Sequence, residues 1–150
     1  MKKLNNYITE AWNGVKKQSH EQEIKSWCEE MDIENYIINS KCEIDVDGNV
    51  GLFNKDLKEL PYKFGTVNGY FNVYGCQNLI SLKNCPNKVG KYFACNHCPQ
   101  LDSLEGCPKK VGSNFYCVGC KRDFSKEEVE SLCKVKRSVL KVKSKNIQYY

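Results

Sequence analysis

Apolar residues recur with a period of 22 positions through the middle of the chain. The last two units are nearly identical, and a looser unit before them keeps part of the spacing, with Pro61 and Phe64-Gly65 displaced by three positions. A fixed period of this length is typical of a solenoid, in which each repeat buries its apolar face against the next. The matched positions are Leu79/Leu101, Leu82/Leu104, Cys85-Pro86/Cys107-Pro108, Val89-Gly90/Val111-Gly112, Phe93/Phe115, Cys95/Cys117 and Cys98/Cys120, with Leu57, Leu60, Phe71, Val73 and Cys76 in the looser unit.

Within each unit, the segment Phe-x-Cys/Val-x-x-Cys alternates apolar and polar positions, which predicts a short strand with one buried face. Pro86, Pro108 and the Val-Gly pairs are expected to turn the chain back for the next pass. Stacked units would place the strands about 4.8 Å apart in a parallel sheet. The predicted buried columns are Phe71/Phe93/Phe115 and Cys76/Cys98/Cys120.

Different patterns flank the repeats and predict the elements that cap them. Alternating apolar residues around Asp47-Gly48-Asn49 indicate a β-hairpin, and Ser125 to Glu128 form a capping box that begins a C-terminal helix. The segment from Glu21 to Met31 has the spacing of an amphipathic helix. The apolar positions are Ile44, Val46, Val50 and Leu52 in the hairpin, Val129, Leu132 and Cys133 in the C-terminal helix with Lys136 continuing its spacing, and Ile24, Trp27, Cys28 and Met31 in the N-terminal helix.

The repeat pattern L-x-x-L-x-x-C-P-x-x-V-G-x-x-F-x-C-x-x-C, from about Leu57 to Lys121, resembles leucine-rich-repeat proteins of the short bacterial and phage type. The resemblance implies a short arc with a parallel sheet on its concave side, where that family usually binds proteins. The chain departs from the family in being very short and in carrying cysteine where asparagine is commoner.

The expected fold class is therefore α+β: a short leucine-rich-repeat-like solenoid with a parallel sheet, capped by a helix and a hairpin at its N-terminal side and by a helix at its C-terminal side. The expected segments are an N-terminal segment at 1–19, a helix and hairpin cap at 20–56, three repeats at 57–122, a helix cap at 123–137 and a basic tail at 138–150.

Composition narrows the class of protein. A chain of 150 residues with 41% hydrophobic and 27% charged residues suits one folded domain and excludes wholesale disorder. No apolar run is long enough to span a membrane, and the first residues lack the apolar stretch of a secretory signal. We therefore expect the ten cysteines to lie in a reducing cytosol, as free thiols or metal ligands rather than disulfides.

Two Cys-x-x-Cys pairs have the spacing of a four-cysteine zinc ribbon. The alternative set of zinc ligands is Cys95, Cys98, Cys117 and Cys120. A period of 22 also reproduces any Cys-x-x-Cys automatically, so we favour a structural ladder without cofactor, in which the later thiol donates to a turn carbonyl. A thiol nucleophile would need a base, and the strand alternation directs His97 outward, away from Cys95. We therefore expect no catalytic residues and no enzyme.

Residues that flank the buried phenylalanine and cysteine positions project from the concave face. Tyrosine offers a large contact area with a polar tip and is common in recognition surfaces, although it also simply suits strands. The candidate binding residues are Tyr70, Asn72, Tyr74, Tyr92, Asn96, His97, Asn114 and Tyr116.

The net charge of +5 is concentrated at the C-terminus, where residues 134–150 contain no acid. Clustered lysines release counterions from phosphates, so this basic tail is a candidate for weak contact with nucleic acid, and a solvated tail has the same composition. Its basic residues are Lys134, Lys136, Arg137, Lys141, Lys143 and Lys145.

The first eleven residues, MKKLNNYITEA, resemble the capsid-targeting peptide of internal head proteins of large tailed phages. That resemblance implies cleavage after Glu10, whereas a short amphipathic helix explains the same residues without any phage. We therefore expect a non-enzymatic protein-binding module of a tailed phage, packaged in or associated with the virion and found in the virion, the host cytoplasm or both. Alternatives are an inhibitor of a host defence protein and a zinc-stabilised nucleic-acid-binding protein.

Overall fold

A single long helix, α1 (Lys2–Glu30), forms most of the first of two compact units, Met1–Glu34 and Asn35–Tyr150. The computed structural model describes the backbone of residues 2–140 and the side chains of residues 5–139. The helix joins the predicted N-terminal segment to the predicted amphipathic helix. Ile24 and Cys28 are fully buried, as the spacing predicted. The bond after Glu10, the expected cleavage site, lies within this helix.

The second unit is a β-solenoid of about four turns, and each turn contributes one strand to each of two sheets. Parallel strands follow one another through both sheets; within residues 35–140, the single antiparallel pair joins Tyr36–Ile38 to Ile44–Val46 at the edge of one sheet. Sheet A contains, in order, β1 (Tyr36–Ile38), β2 (Ile44–Val46), β4 (Phe64–Val67), β6 (Lys88–Val89), β8 (Lys110–Val111) and β10 (Lys134–Val135), and sheet B contains β3 (Val50–Gly51), β5 (Phe71–Asn72), β7 (Phe93–Ala94), β9 (Phe115–Tyr116) and β11 (Val139–Leu140).

The second sheet corrects the prediction that the Val-Gly pairs are turns. Val89 and Val111 are buried strand residues, paired with one another in sheet A. The N–H of Gly90 donates to the carbonyl of Val67 at 2.8 Å, a hydrogen bond to the preceding turn that keeps the chain extended. Val67, rather than the displaced Phe64-Gly65, takes the equivalent position in the looser unit.

The predicted hairpin around Asp47-Gly48-Asn49 is also corrected. The strand before this turn, β2, lies in sheet A, and the strand after it, β3, lies in sheet B. Both strands bond to the next turn instead of to each other: the N–H of Ile44 donates to Lys63 and that of Val50 donates to Tyr70, each at 2.8 Å. The solenoid therefore begins at Ile44, within the segment expected to be a cap, and the hairpin is β1–β2.

The C-terminal helix, α2 (Lys126–Leu132), begins at the predicted cap and ends earlier than the expected segment 123–137. The Ser125 hydroxyl accepts a hydrogen bond from the N–H of Glu128 at 3.0 Å. After the helix, β10 and β11 pair with β8 and β9 and add a partial turn to both sheets. Residues 134–140 thus belong to the solenoid.

The core of the solenoid consists of stacked identical or similar side chains. Phe71, Phe93 and Phe115 are fully buried, and their ring centroids are 6.0 and 4.9 Å apart along the column. This column is the one that the period of 22 residues predicted. Burial of such rings favours folding, because large aromatic side chains remove much apolar area from water.

Candidate functional site

A ladder of thiols runs through the core, one thiol per turn. The thiols of Cys76, Cys98 and Cys120 donate to backbone carbonyls of the preceding turn at 3.1, 3.2 and 3.2 Å. The acceptors are equivalent positions of successive turns, Leu52, Val73 and Cys95. Each of these bonds joins a side chain of one turn to the backbone of the turn before it.

The four cysteines of the alternative zinc site lie near one another, since Cys95 interacts with the other three, but their contacts differ. Cys98 and Cys120 bond to different carbonyls, and Cys95 and Cys117 are buried. Among the described residues, no group of three or more histidine, cysteine, aspartate or glutamate side chains is arranged to hold a metal ion. The ladder accounts for the repeated spacing that had suggested zinc.

Cys120 is the thiol of this ladder that ionises most readily. The Cys95 thiol beside it and the backbone N–H of Cys98 stabilise its thiolate, and these hydrogen bonds lower the pKa of Cys120 despite partial burial. Interaction with Cys120, together with burial, raises the pKa of Cys95 well above its usual range. Of these two thiols, Cys120 therefore loses its proton more readily. The Cys120 side chain is half-buried.

His97 occupies a strained position that the sequence did not reveal. Its φ is +54°, and equivalent residues one turn before and after are Gly75 and Gly119, with φ of +72° and +69°. A Cβ on Gly119 would lie 2.7 Å from the His97 Nδ1, so the imidazole ring covers the space that glycine leaves. The repeated left-handed turn is the reason for glycine at these positions, and it directs His97 toward Tyr74, at 5.3 Å between ring centroids.

Tyrosine rings line the outer side of sheet B. The ring of Tyr92 stacks on that of Tyr70, with centroids 4.8 Å apart, and meets the ring of Tyr116 edge-on at 5.8 Å. Ala94, the strand partner of Asn72 in the next turn, is buried. We call the set Tyr70, Tyr74, Tyr92, His97 and Tyr116 the tyrosine face; all five side chains are half-buried.

Asn72, Asn96 and Asn114, the other predicted binding residues, are hydrogen-bonded within the solenoid. Asn72 accepts from the N–H of Tyr74 at 2.8 Å, and Asn96 accepts from the N–H of Val118 at 3.2 Å. Asn114 donates to the Tyr116 hydroxyl at 3.0 Å and accepts from the Ser138 hydroxyl at 3.1 Å. These amides hold the backbone and the rings in place.

The centre of the tyrosine face is Tyr92. Burial raises the pKa of the Tyr92 hydroxyl, an effect that its neighbours Tyr70 and Tyr116 add to and a hydrogen bond with Asn72 partly offsets. The hydroxyl is therefore neutral at physiological pH. A neutral hydroxyl on a packed ring offers a partner both apolar area and hydrogen bonding.

Only part of the predicted basic tail lies within the residues that the structure describes. Lys134, Lys136 and Arg137 lie in or beside the last turn of the solenoid, where their side chains are exposed. Lys141, Lys143 and Lys145 lie outside the described residues. Sequence reasoning missed Lys88 and Lys110, which precede the two Val-Gly pairs. Lys110 is the direct strand neighbour of both Lys88 and Lys134. The repeated Lys-Val-Gly triplet was the sequence feature that could have revealed these two lysines.

No protein-family model, curated protein or solved structure matches the chain. Within residues 2–140, no helix combines the length and apolarity that crossing a bilayer requires. The class of protein shown is therefore that of a short α+β repeat solenoid rich in buried cysteines.

Proposed function

We propose that the chain is a non-enzymatic protein-binding module whose partner contacts the tyrosine face. The supporting observation is the packed group of Tyr70, Tyr92 and Tyr116 on one side of a rigid parallel sheet. Rings fixed by their neighbours lose little conformational entropy when a partner binds, and tyrosines so placed are frequent binding hot spots.

The rest of the face suits the same role. Tyr74 and His97 form a second aromatic contact beside the first. The asparagines that brace the rings limit the rearrangement that binding requires. The cysteine ladder in the asparagine-like positions supports kinship with short leucine-rich-repeat proteins, whose usual ligands are proteins.

The proposal extends to a tailed phage through the resemblance of residues 1–11 to a capsid-targeting peptide. Packaging in the virion, or association with it, follows if that peptide acts as its resemblance implies. Mass spectrometry of purified virions tests this part separately: peptides beginning at Ala11 support packaging with cleavage, and absence of the chain from virions contradicts it.

The binding proposal is tested by capture of a partner from host cells with three versions of the protein. The wild type, the face variant Tyr92→Ser/Tyr116→Ser and the control Tyr36→Ser/Tyr62→Ser are compared at equal concentration, after thermal melts establish that each is folded. A partner that the wild type and the control retain and the face variant loses supports the proposal. Equal capture by all three contradicts it.

A further inference from the structure

Lys88, Lys110 and Lys134 form a column of like charges on sheet A. Lys110 is the direct partner of Lys88 on one side and of Lys134 on the other, and all three side chains are exposed. Neighbouring strands of a sheet lie about 4.8 Å apart, so the three α-carbons span about 10 Å in a line. We call these three residues the lysine ladder.

Within the described residues, no ion pair with a carboxylate balances the positive charge of the lysine ladder. In the part of the chain that the structure describes, none of the three lysines forms an ion pair with a carboxylate, whereas Lys121 and Lys126 do. Like charges directly opposite each other on neighbouring strands destabilise a sheet. Three consecutive turns keep this arrangement, so a ligand that offsets the repulsion would stabilise the sheet.

Lysine is the charged residue type that lines the surface beside the ladder. An open groove of about 500 Å³ runs along it, lined by the ladder, by Lys136 and by the valines and glycines of the same strands. Gly90 and Gly112 leave no side chain rising from the groove, and a Cβ on Gly112 would lie 2.0 Å from the Gly90 carbonyl oxygen. Neither an aromatic ring nor a hydrogen-bonding amide lines this groove to read a base or a peptide.

The charges on sheet A change sign from one end of the sheet to the other. Asp45 lies in β2 and Asp47 directly follows that strand, whereas β6, β8 and β10 carry lysine. Both carboxylates are engaged locally: Asp45 accepts from the N–H of Thr66 at 2.7 Å, and Asp47 accepts from Asn68 at 3.1 Å. A polyanion is therefore attracted to the β6–β10 end of the sheet and repelled from the β2 end.

We propose that the lysine ladder binds the phosphate backbone of a nucleic-acid strand, independently of base sequence. Lysine binds phosphate as a point charge, and a line of ammonium groups suits a ligand with one charge per repeating unit. The strand lies along the groove between β6 and β10, where its phosphates contact the lysine ladder and Lys136. This site lies on sheet A and the tyrosine face lies on sheet B, so either proposal can fail without the other.

Fluorescence anisotropy with a labelled short oligothymidylate tests the proposal, with full-length protein at salt concentrations between about 50 and 200 mM. We expect Lys88→Gln/Lys110→Gln/Lys134→Gln to weaken binding at least about tenfold. The slope of log affinity against log salt should fall by about 2, since each lost phosphate contact on a single strand removes about 0.7. A labelled duplex and a mixed-sequence strand should show parallel losses, because the contacts do not read bases.

Matched variants separate the ladder from net charge and from the tail. Lys25→Gln/Lys58→Gln/Lys83→Gln removes the same charge from exposed positions elsewhere, and Lys88→Arg/Lys110→Arg/Lys134→Arg keeps the ladder charge; both should bind as the wild type does. A third control changes Lys141, Lys143 and Lys145 to glutamine.

Three results would overturn the proposal: no binding by the wild type at about 50 mM salt, an equal loss in the Lys25/Lys58/Lys83 variant, or full retention by the ladder variant with loss in the tail variant. Thermal melts verify the fold. At low salt, the glutamine ladder variant should melt no lower than the wild type, because the substitution removes like-charge repulsion.

Discussion

The thiol of Cys98 donates a hydrogen bond to the backbone carbonyl of Val73, with an Sγ–O distance of 3.2 Å across 25 positions of sequence. The same bond recurs one turn earlier and one turn later. It joins adjacent turns through a side chain inside the core, and the same carbonyl also accepts from the N–H of Cys76 at 3.4 Å.

Replacing Cys98 by threonine or by valine tests the contribution of this bond. The two side chains have the same shape, and only threonine keeps a donor. We expect Cys98→Thr to unfold with a free energy about 1 kcal/mol higher than Cys98→Val, measured by urea denaturation. At Cys85, whose thiol makes no such bond among the described residues, the order should reverse, because a hydroxyl buried without a partner is destabilising. The same order at both sites would contradict a ladder role.

Phe93→Ala removes the middle ring of the phenylalanine column. Its neighbours Phe71 and Phe115 lie on either side and are fully buried, so the substitution leaves a cavity enclosed by the core. The free energy of unfolding should fall by about 3–5 kcal/mol in urea denaturation. A loss under about 1 kcal/mol would show that the stacking register is wrong.

Gly112→Ala is expected to destabilise the solenoid because of the close approach of two turns. The new methyl group would lie 2.0 Å from the Gly90 carbonyl oxygen, so the backbone must shift. We expect a loss of about 1–3 kcal/mol. Gly48→Ala, with no atom within 4 Å of its Cβ position, is the control and should change stability by less than about 0.5 kcal/mol. Comparable losses in both variants would exclude the steric explanation.

Alkylation of the native protein near pH 8 should modify Cys120 ahead of the buried thiols. Hydrogen bonds from the Cys95 thiol and a backbone N–H lower the pKa of Cys120, whereas burial raises the pKa of Cys98 to about 12 and that of Cys107 to about 11. Because the thiolate is the reactive form, the rate at Cys120 should exceed those at Cys98 and Cys107 at least about tenfold. Peptide mapping by mass spectrometry at short reaction times measures the order, and equal rates would contradict it.

Alkaline pH should destabilise the solenoid. The folded state holds Cys98, Cys107 and Cys133 protonated, with pKa values raised from 9.0 to about 12, 11 and 12, chiefly by burial. A raised pKa in the folded state contributes stability that is complete below the unfolded value and is lost as the pH rises from 9 toward these values. Urea midpoints should therefore stay level up to about pH 8.5 and fall above pH 9. Cys107→Val should show a shallower fall, and an unchanged slope in that variant would contradict the assignment.

Sequence alone determined which residues are equivalent. A period of 22 identifies the phenylalanine and cysteine columns, because a stacked repeat places equivalent side chains on top of one another whatever the path of each turn. Local patterns also identified α2 at its capping box and the buried face of α1, since these depend on residues three or four positions apart.

Tertiary structure decided the path of each turn. The Val-Gly pairs and Asp47-Gly48-Asn49 carry turn signals, yet the former lie in or directly after strands of sheet A and the latter joins the two sheets. Their hydrogen bonds run to residues about one full turn away, such as Gly90 to Val67, and a local pattern does not register such partners. The side-by-side arrangement of Lys110 and Lys134, 24 positions apart, likewise exists only because α2 is inserted and the chain then rejoins both sheets in register.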